Sequence, residues 1–156
     1  MPPPAPPSTD NTLAAIVRNV ESGCRLSAIR YEPGIFASLA QAESNAPLIQ
    51  KIAGINACDI ETAKIIFSSS FGLWQEMGFN IYSLGYDLPI LQFWQSQTDQ
   101  RNIYDAFIKK NGVNFSWAEM LADNAKMEEF ARVYNGPAAI NEYVAAMHRE
   151  AIVVRA

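Results

Sequence analysis

Frequent helix stops divide this 156-residue chain into short helical segments. Gly, an Asn-Gly pair or a Ser-rich break follows most apolar segments that have a helical repeat. Candidate N-caps precede several of them, namely Asp10 or Asn11, Asp59, Ser116 and Asn124. The segments predicted in this way are residues 11–22, 35–43, 48–53, 60–67, 90–97, 98–110, 117–122, 125–134 and 138–153. No series of alternating apolar segments supports a large sheet, and a small hairpin near residues 25–31 is the most that the pattern allows. The chain is therefore predicted to be mostly α.

The length predicts one domain, which we place at residues 11–156 behind a Pro-rich tail at residues 1–10. The proline content of that tail predicts an extended, polyproline-like conformation. The tail has neither the basic nor the apolar region of a secretory signal peptide, so we expect delivery by another route. No segment approaches the roughly 18 apolar residues of a membrane span.

Charge and cysteine content exclude several classes of protein. The net charge is −4 without a Lys/Arg cluster, which argues against nucleic-acid binding. Cys24 and Cys58 could form one disulfide, but two buried free thiols are the favoured interpretation. His148 is the single histidine and has no Cys neighbours, so we expect neither a metal site nor another cofactor.

Glu21 is a candidate general acid, within Val20-Glu21-Ser22-Gly23 at the end of the first predicted helix. Burial beside apolar side chains disfavours an ionised carboxyl, and the C-terminal end of a helix does so too. A carboxyl that stays protonated near neutral pH can donate its proton to a leaving group. From its position alone, an exposed Glu at a helix end is the commoner explanation.

Two later motifs provide candidate binding residues. Ser70 to Gln75 forms a Ser/Gly-containing turn, where the backbone can approach a ligand and the Gln75 amide can bind sugar hydroxyls. Tyr134 and Asn135 precede Gly136-Pro137, and a Tyr134 hydroxyl that reaches Glu21 could orient its carboxyl. We predict that Ser70, Gln75, Tyr134 and Asn135 bind substrate, with Gln75 and Tyr134 in the same cleft as Glu21. The alternatives are a simple turn between helices and ordinary packing and capping.

Four stretches together resemble the phage N-acetylmuramidase family, a branch of the lysozyme-like superfamily. Residues 68–80 are similar to its signature Ser-Ala-Ser-Trp-Gly-x-x-Gln-Ile-Met-Gly-x-Asn, and residues 20–23, 31–36 and 130–137 resemble three further motifs. The resemblance implies a helical lysozyme-like fold, no metal, and Glu21 as the acid. It also implies cleavage of the β-1,4 bond between N-acetylmuramic acid and N-acetylglucosamine in peptidoglycan glycan strands. The chain departs from the family pattern at Cys24, Gly34, Phe71 and Glu76.

The second catalytic group distinguishes two reactions. A hydrolase generally uses a second carboxylate, and Glu32 and Glu76 are the candidates. We favour Glu32, because it follows Glu21 by eleven residues across a turn and can return to the same cleft. The alternative is a Glu before Pro in an exposed turn. A lytic transglycosylase needs Glu21 alone, and the muramidase is slightly preferred.

A non-enzymatic role is the alternative hypothesis. The chain could be a catalytically weak or inactive lysozyme-like component of a phage tail or baseplate. A bacterial toxin-like effector that acts on the wall is a third class. We expect residues 1–9 to dock on such virion proteins, with a flexible leader as the competing explanation. The expected location is the virion or the host cytoplasm, with action in the periplasm or cell wall.

Overall fold

The first helix forms where the sequence predicts it. In the computed structural model, which describes residues 10–154, α1 spans Asn11–Ser22. It begins there because the Asp10 carboxylate accepts a 2.8 Å hydrogen bond from the Leu13 N–H. It ends at Gly23, whose φ of 59° is left-handed and is readily adopted by glycine. The apolar face of α1 is buried, and Glu21 lies in its last turn.

Three short strands form one antiparallel sheet in the order β1-β2-β3. They are β1 (Ile29–Tyr31), β2 (Ser69–Phe71) and β3 (Glu76–Met77), and Arg30 pairs with Ser70 while Phe71 pairs with Glu76. The first strand lies inside the predicted region 25–31, but its partner is β2 and not a neighbouring segment. The Ser-rich stretch that looks like a helix stop is thus the central strand, and its pairing across some 40 residues has no local signal.

Five helices and two short 3₁₀ turns build the part of the molecule beside the sheet. The helices are α2 (Pro33–Ala37), α3 (Ala46–Asn56), α4 (Ile60–Phe67), α5 (Gly78–Ser83) and α6 (Ile90–Gln95), and the 3₁₀ turns are Leu39–Gln41 and Glu43–Asn45. Asp59 caps α4, as predicted, by accepting the Thr62 N–H. These elements enclose one apolar cluster, which includes Ile52, Phe67, Ile81, Tyr82 and Phe93. The helix α5 has no counterpart among the predicted segments.

Four further helices pack with α1 around a second apolar cluster. They are α7 (Gln97–Lys110), α8 (Trp117–Ala122), α9 (Asn124–Asn135) and α10 (Ile140–Val154), with a 3₁₀ turn at Pro137–Ala139 before α10. Ser116 and Glu119 form a capping box at α8, and the cap of α9 is Asp123, one residue before the predicted Asn124. The cluster includes Val17, Trp74, Tyr104, Phe130 and Met147.

The prediction of a mostly α, lysozyme-like domain with a small β component is confirmed. Cys24 and Cys58 are free thiols, so the alternative of a disulfide is wrong. Cys24 is exposed and Cys58 is half-buried, so the prediction that both thiols are buried is wrong as well. Among residues 10–154, no helix is long and apolar enough to cross a membrane. The same residues contain no cluster of three or more potential metal-binding side chains. The docking segment predicted at residues 1–9 lies outside the described residues.

Candidate active site

Glu21 is held by a tyrosine from the far end of the chain. Its carboxyl lies at the C-terminal end of α1, where it is partly buried, and its Oε1 accepts a 2.7 Å hydrogen bond from the hydroxyl of Tyr143 on α10. Burial raises the pKa of Glu21, and this effect outweighs the lowering by the Tyr143 hydrogen bond and the positive charge of Arg30. The carboxyl therefore retains its proton to a higher pH than an exposed Glu, as a general acid requires.

The tyrosine that contacts Glu21 is Tyr143, which the sequence reasoning missed. The hydroxyl oxygen of Tyr134, the residue expected to reach Glu21, lies instead 2.7 Å from the Trp74 carbonyl oxygen and 3.2 Å from Glu76 Oε1. The rings of Tyr134 and Tyr143 are neighbours, with centroids 6.3 Å apart. Tyr134 thus lies one side chain away from the acid. Tyr143 stands in the middle of a regular apolar repeat in α10, where nothing local marks it.

Glu76 is a second shielded carboxyl in the same region. It is the first residue of β3, and only 3% of it is exposed. Burial raises its pKa to about 8; the hydrogen bond from Tyr134 opposes this, and the charge of Glu21 adds to it. At neutral pH its neutral form predominates, so Glu76 is poorly suited to act as a nucleophile or base.

Arg30 interacts with Glu21 and with the other predicted catalytic residue, Glu32. The Arg30 Nε donates to the Glu32 carboxylate in a partly exposed ion pair, and the same guanidinium acts on the pKa of Glu21. The Glu32 backbone N–H donates to the Ser68 carbonyl at 2.9 Å, which fixes the start of α2 against the sheet. Arg30 is therefore a charge shared by both carboxyl groups, and the sequence reasoning missed this link.

Ser70 and Gln75 are bound to each other within the β2–β3 turn. The Ser70 hydroxyl donates to Gln75 Oε1 at 2.9 Å, and Gln75 Nε2 donates to the Gly72 carbonyl at 3.0 Å. Gln75 has a φ of 50°, a conformation uncommon for residues other than glycine, so the turn holds it in a strained geometry. Asn135 is exposed at the end of α9. The substrate-binding roles of Ser70, Gln75, Tyr134 and Asn135 stay predictions.

Gln100 is a buried organising residue that sequence reasoning did not identify. Its Oε1 accepts the Leu73 N–H at 2.8 Å, and its Nε2 donates to the carbonyls of Leu26, Phe93 and Trp94. The amide also occupies the space beside Gly72, where an added Cβ would lie 2.3 Å from Gln100 Oε1. One side chain thus joins the loop after α1, the β2–β3 turn and the end of α6.

Among the predicted site residues, Tyr134 belongs to the same layer as Glu21, whereas Ser70 and Glu32 lie on the side of Arg30. Glu21 and Tyr134 belong to a layer with Tyr143 and Glu76, since the charge of Glu21 raises the pKa of Tyr134, Tyr143 and Glu76. Ser70 and Glu32 are both neighbours of Arg30, since Ser70 pairs with Arg30 across β1 and β2 and Glu32 forms an ion pair with its guanidinium. This arrangement offers one shielded acid and one more accessible carboxylate, and Arg30 acts on both.

Comparison with known proteins agrees with this chemistry. The N-acetylmuramidase family matches residues 51–152. The chain is 38% identical over 128 residues to the endolysin of Enterobacteria phage PRD1. The aligned region covers 80% of this chain and 86% of that protein. No solved structure matches. The extent of both matches shows that the chain belongs to the N-acetylmuramidase family.

Proposed function

We propose that this muramidase hydrolyses the β-1,4 bond between N-acetylmuramic acid and N-acetylglucosamine, with Glu21 as general acid and Glu32 as the second carboxylate. The observation that carries the proposal is the environment of Glu21. Its carboxyl is shielded at the end of α1, its pKa is raised by burial, and the Tyr143 hydroxyl fixes it at 2.7 Å. Glycosidic oxygen is a poor leaving group until it is protonated, and a positioned neutral carboxyl meets that need.

In the first step Glu21 transfers its proton to the glycosidic oxygen as the bond to C1 of the muramic acid breaks. Positive charge then develops on that sugar, and Glu21 is left as a carboxylate. The Tyr143 hydroxyl already donates to Oε1, and Arg30 provides a nearby positive charge. Both interactions favour the ionised form of Glu21, so they stabilise the carboxylate that the step produces.

Glu32 completes the hydrolysis by accepting a proton from the water that attacks C1. It forms an ion pair with Arg30, and about a third of its side chain is exposed, so water can reach it. Glu76 is 3% exposed and its carboxyl contacts Tyr134, so it lacks such access. We therefore assign the second catalytic role to Glu32.

Digestion of purified peptidoglycan in ¹⁸O-labelled water, followed by mass spectrometry of the fragments, tests this function. Hydrolysis gives fragments with a reducing N-acetylmuramic acid that carries one ¹⁸O at C1. An unlabelled anhydro-muramic product identifies a lytic transglycosylase and removes the role of Glu32. The absence of any product supports the binding or structural component, provided that the protein is folded. The E32Q variant should give little labelled product while keeping its fold.

We further propose that the protein is phage-encoded and acts on the host cell wall, and that residues 1–9 dock on tail or baseplate proteins. Six of the first seven residues are Pro or Ala, which gives a segment with few backbone donors and a low ordering cost when it binds a groove. Deletion of Pro2 to Ser8 should leave glycan cleavage intact and reduce incorporation into virions. Equal amounts of truncated and full-length protein in purified virions would contradict the docking role.

A further inference from the structure

Glu76 has an unusual position for a carboxyl group, because the titratable groups among residues 10–154 that contact it or act on its pKa are themselves acids. Tyr134 of α9 contacts it, Glu21 of α1 raises its pKa, and Glu76 in turn raises the pKa of Tyr104 on α7 and Tyr143 on α10. None of these four groups can supply a positive charge. An ionised Glu76 would therefore be a buried anion among acids, which is an expensive arrangement.

The hydrogen bonds around Tyr134 indicate how Glu76 is accommodated. A tyrosine hydroxyl has one proton to donate, yet the Tyr134 oxygen lies 2.7 Å from the Trp74 carbonyl and 3.2 Å from Glu76 Oε1. The carbonyl can only accept, and it is the nearer of the two. A protonated Glu76 can donate to the Tyr134 oxygen, which leaves the Tyr134 proton for Trp74. Each donor and acceptor in this hydrogen-bond chain, from Glu76 through Tyr134 to the Trp74 carbonyl, then has a partner.

We propose that Glu76 is a positioning residue that acts as a neutral acid, whose proton completes a hydrogen-bond chain through Tyr134 to the Trp74 carbonyl, and that loss of this proton inactivates the enzyme. The chain fixes the corner formed by Trp74, Gln75 and Glu76 against α9. Tyr134 also packs beside Tyr143, which holds the Glu21 carboxyl. Ionisation of Glu76 removes the donor and places a negative charge in the layer that positions Glu21.

This inference rests on the proposed function of Glu21 and gives a distinct dependence of rate on pH. If activity needs the Glu21 proton alone, log(kcat/KM) falls at high pH with a slope of about −1. If it needs both protons, the slope becomes about −2 above the second ionisation, because only the fully protonated pair is active. Burial places that second ionisation near pH 8, the pKa of Glu76.

The experiment compares the wild type with E76Q, each profile normalised to its own maximum. The amide of E76Q keeps a donor for Tyr134 but cannot ionise, so we expect a slope of about −1 for E76Q and about −2 for the wild type. One pH unit above the second ionisation, the wild type should have lost about tenfold more of its maximum than E76Q. If E76Q fails to fold, the wild-type profile alone decides, because a slope of about −2 supports the inference and a slope of about −1 overturns it.

E61Q is the matched control, because Glu61 is an exposed residue of α4 paired with Lys64. It should keep the wild-type slope of about −2. A wild-type slope that stays near −1 up to pH 10 would overturn the inference while leaving the proposed function intact. A folded wild type that cleaves no glycan would instead refute the proposed function.

Infrared difference spectroscopy between the wild type and E76Q tests the protonation state without any activity. At pH 7 the difference spectrum should contain the C=O band of a protonated carboxylic acid, and this band should disappear as the pH rises past about 8. A carboxylate band at pH 7 in place of the acid band would show that Glu76 is ionised and would refute the proposed chain.

Discussion

The end of α1 and the start of β3 each place a glutamate beside a tyrosine hydroxyl, but the two carboxyl groups differ in access. Glu21 is partly buried and receives the Tyr143 hydroxyl, with the charge of Arg30 nearby. Glu76 is 3% exposed, and its neighbours are Tyr134 and the charge of Glu21. Burial raises the pKa of both. Only Glu21 also has a cation that can stabilise the charge formed after proton transfer.

The difference teaches that a raised pKa alone does not make a catalytic acid. A general acid must hold its proton, release it to the substrate and then tolerate its own negative charge. Glu21 has groups for all three requirements. Glu76 holds its proton strongly but lacks groups for the other two requirements. This suits a residue that keeps its proton throughout the reaction.

Replacement of Glu21 should have the largest effect on activity. E21Q keeps the shape of the side chain but cannot donate an acidic proton, so glycan cleavage should fall by about 10²–10⁴-fold or more. The rate of turbidity loss of peptidoglycan suspensions measures this, with circular dichroism to confirm the fold. Near-wild-type cleavage by E21Q would show that Glu21 is not the general acid.

Replacement of Glu76 should change how the free energy of unfolding depends on pH. The pKa of Glu76 is about 8 in the folded protein against an ordinary value of 4.5. As the pH rises from about 4.5 to 8, the unfolded chain loses a proton that the folded protein keeps, so stability falls. The decrease is on the order of 4 kcal/mol for this one group. Urea unfolding at pH 5 and at pH 8.5 should show this contribution of Glu76 in the wild type and in E61Q. In E76Q the decrease in the free energy of unfolding should be smaller by about that amount.

The strand that carries Glu76 depends on a glycine directly after it. A Cβ on Gly78 would lie 1.9 Å from the Ile66 carbonyl oxygen, which is backbone and cannot move aside alone. G78A should therefore reduce the free energy of unfolding by about 3 kcal/mol. G54A is the control, because Gly54 in α3 has nothing within 4 Å of an added Cβ. It should leave stability unchanged or raise it by up to about 1 kcal/mol, and equal losses in both variants would contradict the argument.

Removal of the hydroxyl that holds Glu21 should have the smallest effect of the four. Y143F deletes the donor at 2.7 Å, which should reduce kcat/KM by roughly 10–100-fold because the carboxyl is less well oriented. The lost hydrogen bond had lowered the pKa of Glu21, so the alkaline limb should move to higher pH. Y104F is the control: the Tyr104 hydroxyl is buried and has no hydrogen-bond partner among residues 10–154. An alkaline limb that moves equally in both variants would argue against a specific contact.

Local signals predicted much of the helical framework. The caps at Asp10, Asp59 and Ser116 and the stop at Gly23 are short-range features, and the structure has each of them. The sheet was missed in part because Ser69–Phe71 pairs with a strand some 40 residues away. Side-chain pairs that join distant elements were missed for the same reason, since Tyr143 reaches Glu21 across 122 positions and Gln100 reaches Leu26 across 74.

The candidate acid Glu21 was predicted from a motif, whereas its surroundings were not. The Glu-Ser-Gly helix end identifies Glu21, and the structure gives it the shielded position that the chemistry needs. Which tyrosine contacts which carboxyl depends on how α9 and α10 pack, and a difference of one helix exchanges Tyr134 for Tyr143. Packing of that kind is a property of the whole fold.

A pH titration of ¹³C-carboxyl-labelled glutamates by NMR, with and without a glycan fragment, tests the division of roles most directly. The resonances are assigned with E21Q and E76Q. We predict that Glu76 titrates near pH 8 and is little affected by the glycan, whereas Glu21 titrates above the ordinary range of Glu and shifts when the glycan binds. An ordinary titration of Glu76, or a glycan that shifts Glu76 and leaves Glu21 unchanged, would contradict the account.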